Sequence, residues 1–344
     1  MADAAPAPLS RLLSGTRVLA LVGLAKNTGK TVALAALLRE LEAEDRCVGV
    51  TSIGRDGEEH DVIDARIDKP RIFLAAGNLV ASTGALLRAS GVAHERLTQT
   101  GVRTPLGEVI IARLTEQGAV EVAGPSAAED VREVGDAMIG FGAELVLIDG
   151  AIDRRAASSP DVADGLVLST GAILSTDLEE VVARTRDAVE LVRLPVAGEN
   201  AAGQRITVAR RLALDAEPTE IATLLREHPQ AMTLDLEGAL GERFLEGLLA
   251  ARKDLSPPTR RELRIVAGDP TKVFLSRRGP GWYRRQGLSI EVLQVVGLKA
   301  ITINPIAPQS HRFDSQQLRE MIEAAIPDVP VLDVLDPSYL ALAK

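Results

Sequence analysis

The chain has 344 residues, a net charge of −9, 46 % hydrophobic and 2 % aromatic residues, and one cysteine. The acidic balance argues against a general nucleic-acid coat, and the single Cys47 leaves no disulfide framework or cysteine metal cluster and fits a reducing cytoplasm. No apolar run approaches the roughly 18–20 residues that span a bilayer, so no membrane partner is expected, and the length favours two domains over one.

Leu9 to Leu13 reads as a short lead-in helix. Val18 to Val22 is an apolar run of strand length, Gly23 to Lys30 is a loop, and Thr31 to Glu44 is Ala/Leu-rich and helical. A strand, a glycine loop ending Gly-Lys-Thr and a helix are together the context of a phosphate-binding P-loop. Backbone N–H groups of such a loop face phosphate, and the helix dipole favours negative charge there. The candidate nucleotide-binding residues are Gly23, Lys26, Asn27, Thr28, Gly29, Lys30, Thr31 and Val32. Lys30 would reach the β- and γ-phosphates, and Thr31 would place its hydroxyl on Mg²⁺. The spacing is G-x5-G-K-T, one residue longer than the usual form, because Leu24 stands where that form needs glycine.

Arg46 to Ser52 is a second strand. It feeds a polar loop with Asp56, Glu58, Glu59 and Asp61. Asp56 would orient a water or complete the magnesium shell, and the alternative is an acidic turn, since Arg-Asp-Gly is ordinary turn chemistry. Pro70 to Leu74 and Asn78 to Ala81 are short strands about a turn, and Ser82 or Thr83 caps a helix through Ser90. Glu108 to Arg113 and Ala119 to Ala123 read as strands of one hairpin through Glu116-Gln-Gly118. An amphipathic helix follows from Ala127 to Phe141.

Glu144-Leu-Val-Leu-Ile-Asp-Gly150 is an apolar run ending in an acid, the pattern of a buried parallel strand. Open α/β sheets place ligands at such strand ends, so Asp149 is the candidate to orient Mg²⁺ with Thr31, and the alternative is a strand-end turn cap. Asp153, Arg154 and Arg155 follow, and an arginine here would meet a phosphate or form a surface ion pair. Gly165 to Ser169 is another buried strand, and Asp177 to Arg193 a helix.

Pro, Gly and polar residues from Leu194 to Arg205 place a domain boundary near residue 200. The expectation is a nucleotide-binding domain over 1–200 and a smaller α/β domain over 201–344. The second part carries strands at Ala231 to Asp235, Glu262 to Ala267, Lys272 to Ser276, Ile290 to Gln294, Ala300 to Ile303 and Pro330 to Val334. Its helices are Gly238 to Ala251 and Ser315 to Ala325. The fold class expected is α/β: a P-loop NTPase with a mostly parallel sheet. The four histidines show no metal-ligand spacing, and no Asn-Lys-x-Asp guanine signature exists, so ATP is the default base by class.

Several stretches together resemble one family. They are Gly23 to Thr31, Thr51-Ser-Ile-Gly-Arg-Asp-Gly-Glu58, Lys69-Pro-Arg-Ile72, Gly107-Glu-Val109, Ala123-Gly-Pro-Ser126, Ile148-Asp-Gly-Ala151 and Thr302-Ile-Asn-Pro305. The family is the P-loop reactivation component associated with adenosylcobalamin-dependent lysine 5,6-aminomutase and ornithine aminomutase. More broadly, the chain resembles the group holding dethiobiotin synthetase and the partition ATPases. The first resemblance implies an ATP-driven protein partner of an aminomutase, with ATP and Mg²⁺ as cofactors. The broader one implies, as an alternative, an ATP-dependent ligase or kinase taking a small-molecule substrate. A nucleotide-binding scaffold with negligible turnover is the third expectation. Lys26 is similar to the signature lysine through which partition ATPases dimerise, displaced by one residue, which keeps a homodimer among the expectations.

Overall fold

The computed structural model describes residues 7–53, 71–151, 155–198, 203–253, 262–308 and 311–342. It divides the chain into two compact units, Met1–Thr185 with Gly297–Lys344, and Arg186–Val296.

The first unit opens with a 3-10 turn, Leu9–Leu13, then β1 (Val18–Gly23), α1 (Lys30–Ala43) and β2 (Val48–Ser52). Next come β3 (Ile72–Leu74), β4 (Leu79–Thr83), α2 (Gly84–Ser90), β5 (His94–Thr104), β6 (Gly107–Leu114) and β7 (Gly118–Val120). Then follow α3 (Ala128–Gly140), β8 (Leu145–Ala151), β9 (Gly165–Gly171) and the first half of α4 (Leu178–Val192), a helix whose remainder belongs to the second unit. Three of these helices carry a recognisable start signal. Thr83 accepts from the Leu86 N–H at the start of α2, and α3 and α4 carry Glu129, Asp130 and Glu179, Glu180 in their first turns.

The second unit holds β10 (Gln204–Val208), α5 (Arg210–Asp215), α6 (Pro218–Glu227), β11 (Ala231–Leu236), β12 (Leu240–Gly241) and α7 (Glu242–Lys253). It closes with β13 (Leu263–Ala267), β14 (Val273–Phe274), α8 (Pro280–Arg285) and β15 (Leu288–Val292). Its sheet is four-stranded and parallel, in the order β10-β11-β13-β15. Its core gathers Leu234, Ile265, Phe244, Leu248 and Tyr283.

The chain then returns to the first unit with β16 (Gly297–Asn304), α9 (Ser315–Ala325), β17 (Val331–Leu332) and α10 (Pro337–Leu342). The nine-stranded sheet runs β17-β16-β9-β1-β8-β2-β4-β6-β5, and only β6 opposes the common direction. The molecule is thus α/β with a large, mostly parallel mixed sheet. β1 and β9 are buried along their whole length, as strands covered on both faces must be. With aromatics scarce, Leu, Val, Ile and Ala fill this core.

Two expectations change. The domain boundary is not a single break near residue 200. The second unit ends at Val296, and residues 297–344, expected in the smaller domain, complete the first unit's sheet. The hairpin through Glu116 to Gly118 does not form either: β6 pairs antiparallel with β4 and β5, and β7 pairs with β3. The hairpin that exists joins β5 to β6, and β5 escapes a pattern reading because it is polar and half-exposed, with Gly101 at φ +76°. Among the described residues no helix is long and apolar enough to cross a membrane.

Candidate functional site

The candidate residues lie where parallel strands end. β1 sits between β8 and β9, and Leu21 is level with Asp149 on one side and Val167 on the other. A loop leaving β1 and an acid near the end of β8 therefore face the same edge of the sheet, the edge at which open α/β sheets bind ligands.

The loop between Gly23 and Lys30 is shaped by three anchors. Leu24 N–H donates to Ser169 O on β9 at 2.9 Å. The Thr28 hydroxyl donates to Ala25 O at 3.0 Å, drawing the loop on itself. Asn304 Nδ2 donates to Asn27 O at 2.9 Å. Gly23 is required by space: a Cβ there would lie 2.5 Å from Thr28 Oγ1 and 3.2 Å from Ala25 O. Gly29 is required by conformation, with φ +89°, and by the Asn304 Cβ, which would stand 3.0 Å from a Cβ of its own. Lys26 and Asn27 are exposed, and Asn27 takes the left-handed conformation at φ +68°.

Helix α1 begins at once. Gly29 is its N-cap, no side chain caps it, and its first turn holds no acid. Lys30 is its first residue, so a cation adds to the positive end of the helix dipole. That charge meets Asp149: Lys30 Nζ lies 2.8 Å from Asp149 Oδ1, with the side chains 20 % and 27 % exposed. Oδ1 has almost no solvent contact and accepts no aligned hydrogen bond. The ammonium supplies it with charge but not with a directed donor. Ile53 N–H donates to Asp149 O at 3.2 Å, tying the end of β2 to the same point.

Thr31 is exposed and Val32 half-buried in the first turn of α1. Thr28 is buried and its hydroxyl is spent inside the loop, so only its backbone is free to meet a ligand. Asp56, Glu58, Glu59, Asp61, Asp153 and Arg154 lie outside the described residues, and Arg155 opens a 3-10 turn, Arg155–Ser158. Among the described residues no cluster of three or more His, Cys, Asp or Glu side chains could cage a metal. Among the described residues at this edge, the one buried oxygen without a directed partner is Asp149 Oδ1, which fits a hard cation that takes one or two carboxylates and completes its shell with water and phosphate.

Asn304 lies within the Thr302-Ile-Asn-Pro305 stretch of the resemblance, which gives it no place at the site. The signal was present as Asn304-Pro305 at the end of an apolar strand, but an Asn-Pro pair reads as a turn until β16 is known to lie two strands from β1. Comparison of the chain with protein-family models, curated proteins and solved structures finds no match.

Proposed function

We propose that the chain binds a magnesium–nucleoside triphosphate at the Gly23–Val32 loop and hydrolyses it. The observation that carries this reading is the meeting of Lys30 and Asp149 at an uncapped helix N-terminus behind a glycine-shaped loop. A phosphate chain offers the negative charge that such a helix end and its lysine favour. Lys30 would turn from Asp149 to the phosphates. Asp149 and the Thr31 hydroxyl would then hold Mg²⁺, which when bound neutralises charge on the transferring phosphoryl group. The chain's own contribution is to fix the phosphates by backbone N–H groups and one lysine. ATP is the nucleotide expected by class, and Asp56 remains the candidate for orienting the attacking water.

The family resemblance supports a finer reading, in which turnover acts on a protein partner, an adenosylcobalamin-dependent aminomutase. The test of the basic reading is calorimetry with MgATP. Lys30→Ala is expected to weaken binding at least about tenfold, since it removes a charge-assisted contact to phosphate. Asp149→Asn is expected to keep metal-free binding and to lose the gain that Mg²⁺ gives. Unchanged affinity in Lys30→Ala would overturn the assignment.

A further inference from the structure

The glycine loop depends on a side chain that comes from the far end of the chain. Asn304 is the last residue of β16, level with Gly171 at the end of β9, and 277 residues separate it from Asn27. Its strand is fixed to β9 by the ladder and by a buried hydroxyl pair, Ser169 Oγ to Thr302 Oγ1, at 2.7 Å. Gly171 lets the Asn304 backbone come close, since a Cβ at 171 would collide with the Asn304 carbonyl oxygen.

The amide of Asn304 has two engagements of opposite kind. Nδ2 donates to Asn27 O at 2.9 Å, and Oδ1 accepts from Ile306 N–H at 3.1 Å. Only one orientation of the amide satisfies both, so the two ends are not interchangeable. The donor end acts on a residue in the left-handed region: Asn27 sits at φ +68°, which asparagine tolerates better than other residues with a Cβ. In a trans peptide the carbonyl and the next N–H point in opposite directions. Drawing Asn27 O toward Asn304 therefore turns the Thr28 N–H away from β16, and no hydrogen bond among the described residues engages that N–H.

We propose that Asn304 is a positioning residue: its amide donor holds the Asn27–Thr28 peptide in the orientation that leaves the Thr28 N–H free for an anion. This rests on the magnesium–nucleotide reading of the loop. The amide end facing Ile306 serves the following turn and is separable from it.

Two variants and two readouts test this. Asn304→Ala removes both ends. Asn304→Asp keeps the acceptor for Ile306 N–H but sets an oxygen against Asn27 O. Amide exchange is measured on the ligand-free protein. Leu24 N–H and Ala33 N–H, bonded to Ser169 O and Gly29 O, report the loop, and Ile306 N–H reports the turn. Both variants are expected to speed exchange at Leu24 and Ala33 about five- to tenfold, as loss of one hydrogen bond allows. Ile306 should be released in the Ala variant and stay protected in the Asp variant. MgATP affinity of Asn304→Ala by calorimetry should fall about five- to tenfold. An Asp variant with wild-type exchange at Leu24 and Ala33 would assign the side chain to the Ile306 turn and overturn the proposal. So would an Ala variant with wild-type affinity in a protein whose wild type binds MgATP. A wild type that binds no MgATP would instead overturn the nucleotide reading, and the ligand-free exchange arm would still decide what Asn304 does.

Discussion

Tyr339→Phe is expected to destabilise the first unit by about 3 kcal/mol, a large effect for one oxygen atom. Tyr339 on α10 is 1 % exposed, and its hydroxyl donates to Glu40 Oε1, itself on a residue only 3 % exposed in the last turn of α1. The same hydroxyl accepts from Leu9 N–H at 2.9 Å, and Glu40 Oε2 accepts from Ser10 N–H at 2.8 Å. One phenol and one carboxylate thus tie the first 3-10 turn and the last helix to the helix that starts at the glycine loop. Phenylalanine keeps the ring packing and removes a donor to a buried carboxylate, about 1.5–3 kcal/mol, and leaves a backbone N–H unpaired, about 1 kcal/mol more. For a unit of this size that lowers the melting midpoint by about 6–12 °C. Far-UV circular dichroism follows the loss, while fluorescence of the only tryptophan, Trp282, reports the second unit. Replacing both partners, Tyr339→Phe with Glu40→Leu, should recover part of the stability, because no buried charge is then left without a donor. A Tyr339→Phe protein within about 0.5 kcal/mol of wild type would show that the phenol is not a donor Glu40 depends on, and would refute the reasoning. The pH dependence has a definite sign. Burial, and then the Glu40 hydrogen bond, hold the Tyr339 phenol above its ordinary value of 10.0. A group raised in the folded state stabilises fully below its unfolded value and loses that contribution as pH rises. Wild-type stability should therefore fall above about pH 10, approaching 1.4 kcal/mol per pH unit for this phenol, and the Phe variant should lack that slope.

Gly124→Ala should destabilise by more than about 2 kcal/mol in urea unfolding, because its Cβ would collide with the Ser52 carbonyl oxygen, a backbone atom at the end of β2. A variant of wild-type stability would mean that the Ala123-Gly-Pro-Ser126 segment does not cross that strand end so closely. In the second unit, Glu242→Gln should lower the Trp282 fluorescence midpoint by about 1–2 kcal/mol. Its carboxylate accepts from Ser276 N–H and Tyr283 Oη at 2.9 Å and from Arg278 N–H at 3.2 Å. Burial pushes the Glu242 carboxyl up, but these donors outweigh it and hold it below 4.5, so its contribution is present above that pH and lost on further acidification. Equal acid sensitivity in wild type and the Gln variant would contradict this.

The strands that carry the fold were legible because they are buried on both faces and so read as continuous apolar runs. Val18 to Val22, Leu145 to Ile148 and Gly165 to Leu168 all sit at the centre of the large sheet. What local pattern does not contain is the partner of a strand. Ile110 to Ala112 and Ala119 to Val120 read as neighbours because they are close in sequence, yet each pairs with a different, earlier strand. The same blindness misplaced Ala300 to Ile303. An apolar run cannot say which of two parallel sheets it joins, and the switch to Pro and Gly near residue 195 is equally consistent with an inserted unit and with a terminal one. β10, α5 and α6 were passed over for a related reason: β10 is largely exposed, and α5 is only a turn and a half long.

The site divides along the same line. Gly23, Gly29, Lys30 and Thr31 stand out in the sequence because their pattern is local: a tight loop, a helix start and a charge within a few residues. Asp149 stands out in the sequence because an acid closing a buried strand is costly without a partner, and in the structure its Oδ1 lies beside Lys30 without an aligned donor. Asn304 does not, because its contact with Asn27 exists only after β16 has returned past an entire second unit to lie beside β9. That asymmetry has a physical consequence. The motif can be written by a few consecutive residues, but the loop they form is also held by a hydrogen bond of very long sequence separation. The contact between the loop and Asn304 therefore requires the last part of the chain to lie on the first, a closure that no local pattern along the chain expresses.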